Sequence, residues 1–217
     1  MIDGIAVDVD AEAVVVRSAT PLATVSSAIL GGGQGRARTV VNLHVPRSFP
    51  CETSLDALEA FARRRALARP LVGLLTAAWT AEAEVAEETC DGLAACVIAT
   101  VGLSNATGAG RAPSVAWTPS TINTIVLVDA DPEPAAMVNL VATVTEVKAL
   151  ALGAAGVRAA DGGPASGTSS DAVVVAATGR GRGCRFGGPA SELGALAARA
   201  ARTALEAGVR RWLAGRT

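Results

Sequence analysis

The 217-residue chain is 50% hydrophobic but only 3% aromatic, with no Tyr, and carries a formal charge of −1. That length supplies a sizeable core, and the near-neutral balance excludes a global field that would gather nucleic acid. The apolar run Leu71–Trp79 is far short of the ~20 residues of a membrane span, and Met1-Ile2-Asp3-Gly4 opens no signal peptide. Cys51, Cys90, Cys96 and Cys184 show no metal-ligand spacing, and scattered, buried thiols fit a reducing cytoplasm.

Residues Ile2–Asp8 and Ala13–Ser18 read as a β-hairpin around Val9-Asp10-Ala11. Ala23–Leu30 is apolar and ends in Gly31-Gly32-Gly33-Gln34-Gly35, which predicts a flexible loop. Arg38–Val45 is the next strand. Thr53 or Ser54 caps a helix to about Ala68, whose Arg63-Arg64-Arg65 run reads as a solvated face. Val72–Thr76 is a short strand, and Ala83–Thr89 with Leu93–Val101 forms a hairpin about Cys90-Asp91-Gly92. Ile122–Asp129 is a strong strand, and Asp131-Pro132-Glu133-Pro134 starts a helix to about Leu152. A small-residue loop to Gly167, the strand Asp171–Ala177 and the glycine-rich loop Gly179–Gly188 follow. Ser191 caps a last helix to about Leu213.

Thr121-Ile122-Asn123 followed by a buried strand repeats as Ser169-Ser170-Asp171 followed by another, 48 residues later. Each copy leads into a loop and a long helix. The expected fold is therefore α/β (α+β): one layered domain over residues 1–217, with a mixed sheet and long helices packed on it. Two related strand–helix units make up its C-terminal half.

Polar side chains interrupt the apolar strands at their ends. Asn42 and His44 leave the same face of one strand, and His44 is the only histidine. Gly102-Leu103-Ser104-Asn105, Ser120-Thr121-Ile122-Asn123 and Gly167-Thr168-Ser169-Ser170-Asp171 are similar edges. Buried polar groups must be satisfied internally or used on a ligand. Four such edges predict one shared pocket, in which Asn42, Ser104, Asn123 and Ser169 meet.

Asn139, Thr143 and Glu146 share one face of an otherwise apolar helix. A buried Glu146 would be a general base or acid; paired with Lys148 or an Arg, it would be a structural ion pair. His44 has three readings: general base, metal ligand, or a core histidine with a satisfied ring. Lys148 is the only lysine among 19 basic residues, so a specific role competes with that of a solvated helix residue. Ser26, Ser27, Thr76, Ser104, Thr121, Thr168, Ser169 and Ser170 lie in no nucleophile elbow, and turn or cap roles are their default. The Gly167–Ser170 loop offers hydroxyls and backbone N–H groups to a ligand oxygen or an oxyanion.

Seven stretches in series resemble one family, the adenosylcobinamide amidohydrolases. They are Ser26–Gly32, Val41–Val45, Val72–Ala78, Gly102–Ala106, Thr121–Ile125, Thr145–Lys148 and Gly167–Ala172. The chain departs from the pattern at Gly31, Val101 and Ser170. The resemblance implies hydrolysis of the amide that joins aminopropanol to adenosylcobinamide, giving adenosylcobyric acid in corrinoid salvage. It implies a small-molecule corrinoid substrate that brings its own cobalt. No protein-bound metal or other cofactor is expected, nor a nucleic-acid or membrane partner, and the oligomeric state is open.

Within that reaction, Glu146 or His44 is assigned to activate water, and Lys148 or Asp171 to orient the acid–base group. Asn42, Asn105 or Asn123, with the N–H groups near Thr168–Ser170, are assigned to the oxyanion. Ser27, Thr76, Ser104, Thr121, Ser169, Asp171 and Trp117 complete the expected substrate contacts, with Phe186 a second candidate for stacking. A fainter similarity of Thr168–Ala177 to enzymes with an N-terminal Ser/Thr nucleophile keeps a related amidase or acyltransferase as an alternative. A non-catalytic corrinoid-binding protein is the other.

Overall fold

The structure is a computed structural model that describes residues 2–111 and 121–215. Its main strands are β1 (Ile5–Val9), β2 (Ala13–Ser26), β3 (Gly33–His44), β4 (Leu71–Thr76), β5 (Glu84–Cys90) and β6 (Leu93–Val101). After the two-residue β7 (Ala106–Thr107) come β8 (Ile122–Asp129), β9 (Asp131–Pro132), β10 (Gly167–Thr168), β11 (Ala172–Ala177) and β12 (Gly183–Cys184). The helices are α1 (Ser54–Arg64), α2 (Pro134–Ala154) and α3 (Glu192–Ala214).

The main sheet runs β4-β3-β2-β11-β8-β6-β5, with β1 also paired to β2. The β3–β4 and β8–β11 pairs are parallel and the others antiparallel. The sheet folds over itself. Val14, Val16, Val40 and Leu74 from one half share a buried cluster with Ile98, Ile125, Leu127 and Val174 from the other. A hydrogen bond of 2.8 Å from Asn123 on β8 to the Leu75 carbonyl on β4 spans strands four places apart in the sheet order. Only two facing half-sheets allow that bond. Their small Val and Ala side chains let the halves approach closely.

Helices cover the two outer faces, giving four layers. Leu58 and Phe61 of α1 pack on Val41, Leu43 and Leu75. Leu140 and Val144 of α2, with Leu196 and Ala200 of α3, pack on Val97, Val126 and Val175. The two strand–helix units are the parallel β8 and β11, each followed by one of the packed helices α2 and α3. Their register is one residue off the sequence alignment, with Ala172 opposite Asn123. Ser191 caps α3 by accepting from the Gly194 N–H at 3.1 Å.

Several expectations need correction. The glycine run is not a loop: Gly33 and Gly35 lie in β3, opposite Ser26 and Thr24. A Cβ on Gly31 would meet the Leu71 carbonyl oxygen at 2.6 Å, and one on Gly32 the Ala28 oxygen at 2.4 Å, so close backbone approach selects glycine. The first hairpin's second strand continues to Ser26, with a register irregularity between Arg17 and Leu22. Helix α1 stops at Arg64, before Ala66 turns to φ +48°. The basic glycine-rich loop contains β12, paired with β9. Cys51 and Cys90 are exposed, while burial pushes the Cys96 thiol up to about 12.

Helix α2 is long and apolar enough to cross a membrane, with a mean hydropathy of 1.5, although polar residues break its apolar run. Here Ala136, Met137, Leu140, Val144, Ala151 and Leu152 bury one side of it in the core.

Candidate active site

Topology brings the polar strand ends together. Strand β6 runs antiparallel to β8, so the segment after β6 lies beside the start of β8, where the Gly102 N–H meets the Thr121 carbonyl at 3.0 Å. The start of β11 lies alongside, because β8 and β11 are parallel. Strand β2 runs antiparallel to β11 and delivers Ser27, whose Oγ accepts from the Val173 N–H at 3.0 Å. Asn42 arrives from the facing half-sheet.

The first cluster is neutral. Asn123 Nδ2 donates to Asn42 Oδ1 and to the Leu75 carbonyl, both at 2.8 Å. Asn42 Nδ2 donates to Thr100 Oγ1 at 2.9 Å. Thr121 Oγ1 lies 3.1 Å from Asn123 Oδ1 and 2.7 Å from the Ser170 carbonyl. Asn42, Thr100, Thr121 and Asn123 are all buried. The two N–H bonds of the Asn123 amide are both spent, so Asn123 braces the two half-sheets and has no donor left for an oxyanion.

The second cluster is charged. Lys148 Nζ lies 2.5 Å from Asp171 Oδ2, with the two side chains 10% and 11% exposed. Asp171 also accepts from the Ile122 N–H at 2.9 Å, the Thr168 N–H at 3.0 Å and the Thr168 hydroxyl. Four donors thus hold one carboxylate. A Cβ on Gly167 would lie 2.4 Å from Asp171 Oδ2 and 2.9 Å from Lys148 Nζ, so glycine is what fits there. The same crowding favours a lysine at this position. A compact ammonium fits where the broader guanidinium would not.

A pocket of about 260 Å³ opens beside both clusters, lined by Ser27, Ile29, Leu74, Leu75, Asn123, Ser170, Asp171 and Ala172. It is smaller than the wide cleft expected for a broad, flat ligand. Asn105 joins the same region through Nδ2 to Ser169 Oγ at 2.7 Å, whereas Ser104 is exposed.

His44 takes a different setting. Its Nδ1 lies 3.0 Å from the Ala78 carbonyl oxygen. A carbonyl can only accept, so Nδ1 is the donor, and in the neutral ring Nε2 carries the lone pair. The ring stacks on Trp79, with centroids 4.8 Å apart and planes 17° from parallel. Thr76, beside His44 in the β3–β4 register, is buried, and its Oγ1 accepts from the Ala78 N–H at 3.0 Å.

The expected convergence of Glu146 fails in position. Glu146 and Asn139 are exposed, and Thr143 alone of that stripe turns inward, donating to the Gly187 carbonyl at 2.9 Å. A helix with apolar residues on nearly every side does not reveal its buried face. Phe186 is 63% exposed beneath the Arg185 guanidinium, and Trp117 lies outside the described residues. Sequence reasoning missed Thr100 and Trp79. Nothing in a linear pattern signals that a strand-end Trp stacks on a histidine 35 residues away.

Among solved structures, a Burkholderia sp. β-aminopeptidase is similar at 14% identity, with a TM-score of 0.47, over 93% of this chain and 78% of that one. The PH0078 protein from Pyrococcus horikoshii OT3 is similar at 11% identity, with a TM-score of 0.47, over 99% of this chain and 80% of that one. No curated protein matches the sequence. The family model for adenosylcobinamide amidohydrolase matches residues 1–217, and the chain belongs to that family.

Proposed function

We propose that this chain hydrolyses the amide joining aminopropanol to adenosylcobinamide, releasing adenosylcobyric acid for corrinoid salvage in the cytoplasm. The observation that carries the reading is the pocket of about 260 Å³ with Ser27, Asn123, Ser170 and Asp171 in its wall. It suits one amide-bearing arm of a large substrate, while the corrin ring stays outside.

The reaction needs an activated water, a held carbonyl oxygen and a proton for the leaving amine. His44 Nε2 is the base, because its lone pair is fixed by the bond at Nδ1. Ser27 and Ser170 line the pocket, where their hydroxyls would meet the amide. Water adds to the carbonyl carbon as His44 takes its proton. The carbon–nitrogen bond then breaks, and the nitrogen leaves with a proton from Lys148, which Asp171 positions. Solvent restores both groups. Each acid–base group contributes roughly 10²–10⁴ in rate. The step draws no ATP, and the cobalt arrives with the substrate.

The test is aminopropanol release from adenosylcobinamide by purified protein. Release by wild type and a fall of at least ~10² in His44→Ala support the reading. Corrinoid binding without release would mark a binding protein instead.

One observation favours a second reading. The Thr168 hydroxyl donates directly to Asp171, the pairing a nucleophile makes with its base. A covalent adduct on Thr168, or a chain cleaved before it, would move the chemistry to that hydroxyl. Intact mass measured before and after substrate addition decides between them.

A further inference from the structure

We infer that Trp79 is a stacking shelf for the adenine of the substrate's nucleoside ligand, an inference that rests on the corrinoid reading above. Trp79 is 62% exposed, which leaves on the order of 100 Å² of aromatic surface in water. Such a residue is ordinarily loose or covered; this one is held. One side stacks on His44 at 4.8 Å, and His44 is itself bonded to the Ala78 carbonyl next to Trp79. On its other flank, buried Thr80 donates to the Asp10 carbonyl at 2.7 Å. Backbone and ring are therefore both fixed, while most of the indole stays in solvent.

The position fits a subsite. Trp79 follows β4, whose Leu74 and Leu75 line the arm pocket, and exposed Ile29 lies on that pocket's wall. The shelf requires that a ligand whose arm enters the pocket extend its bulk past this strand end.

The chemistry selects adenine. A corrin bearing an axial ligand and peripheral amides cannot lie flush on an indole. Adenine is a flat bicycle of the indole's own size, and it hangs free at the end of the axial ligand. Stacking needs no further hydrogen bonds, because every base has a π-face.

Two measurements on the full chain test this. 5′-Deoxyadenosine should quench wild-type tryptophan fluorescence saturably and leave the emission of Trp79→Phe unchanged, since that variant retains Trp117 and Trp212. Equal quenching in both proteins, or none in either, overturns the shelf. In turnover, Trp79→Ala should lower kcat/KM for adenosylcobinamide about ten-fold, within the range for removing one aromatic from under a base. An unchanged kcat/KM overturns it as well. Wild-type protein inactive on adenosylcobinamide would remove the proposed hydrolysis, and the quenching result would still decide whether Trp79 binds the nucleoside.

Discussion

Two buried polar clusters share one end of the sheet, joined where Thr121 touches both Asn123 and the Ser170 carbonyl. The Asn42–Thr100–Asn123 cluster is neutral, and it spends both donors of Asn123 on partners from the opposite half-sheet. The Lys148–Asp171–Thr168 cluster is ionic and sits at the pocket wall. A neutral, satisfied network can hold two layers together at little cost. A buried ion pair is weak evidence for stability, because desolvating its two charges offsets their attraction. On the proposed reading, the first cluster is architecture and the second is chemistry.

The strongest way to break that contrast is at Lys148. Lys148→Met strands the Asp171 carboxylate in a buried site and should cost about 3–5 kcal/mol of stability, read by urea unfolding. Turnover should fall at least ~10². Adding Asp171→Asn removes the stranded charge and should recover part of the stability but none of the turnover. If the double variant regained activity, the pair would be structural and the two clusters equivalent.

Gly167→Ala sharpens the same contrast without changing any charge. Its Cβ would overlap Asp171 Oδ2 at 2.4 Å, so either the ion pair or the loop must shift. We expect a loss of about 1–3 kcal/mol, as for overpacking a tight site, with turnover lowered alongside. Wild-type stability and turnover together would show that the loop has room to spare.

At the neutral cluster the expected order is reversed. Asn42→Ala leaves one Asn123 donor without its partner, a buried-group penalty of about 1–3 kcal/mol. The urea midpoint should drop, while the folded fraction keeps turnover within a few-fold of wild type. A ten-fold or greater loss of turnover at unchanged stability would place Asn42 in the chemistry after all.

Much of this arrangement was legible in the sequence, and the reasons for the rest are physical. Strand and helix order follow from apolar runs and caps such as Ser191, because those signals are local. The polar strand ends were visible as interruptions. Their pairing was not: Asn42 and Asn123 are 81 residues apart and meet only because the sheet folds over. Likewise the glycines at 31–35 read as a loop, since close backbone approach leaves no mark distinct from flexibility. The single lysine left a specific role open beside that of a solvated helix residue, and its partner Asp171 was one of several carboxylates on offer. Trp79 carried no local signal, because stacking on His44 depends on the parallel register of β3 and β4.

Glu146→Gln is the smallest predicted effect and the cleanest control on the comparison. Periodicity alone put Glu146 on a polar stripe with Thr143, yet Thr143 turns into the core and Glu146 faces solvent. An exposed carboxylate keeps its hydration, and its removal strands no charge. Stability should stay within about ±0.5 kcal/mol, the range for surface substitutions, and aminopropanol release should match wild type. A fall of ~10² in turnover with normal unfolding would mean that Glu146 reaches the substrate. The chemistry would then lie on the outer surface of α2, and neither cluster at the sheet end would hold the active site.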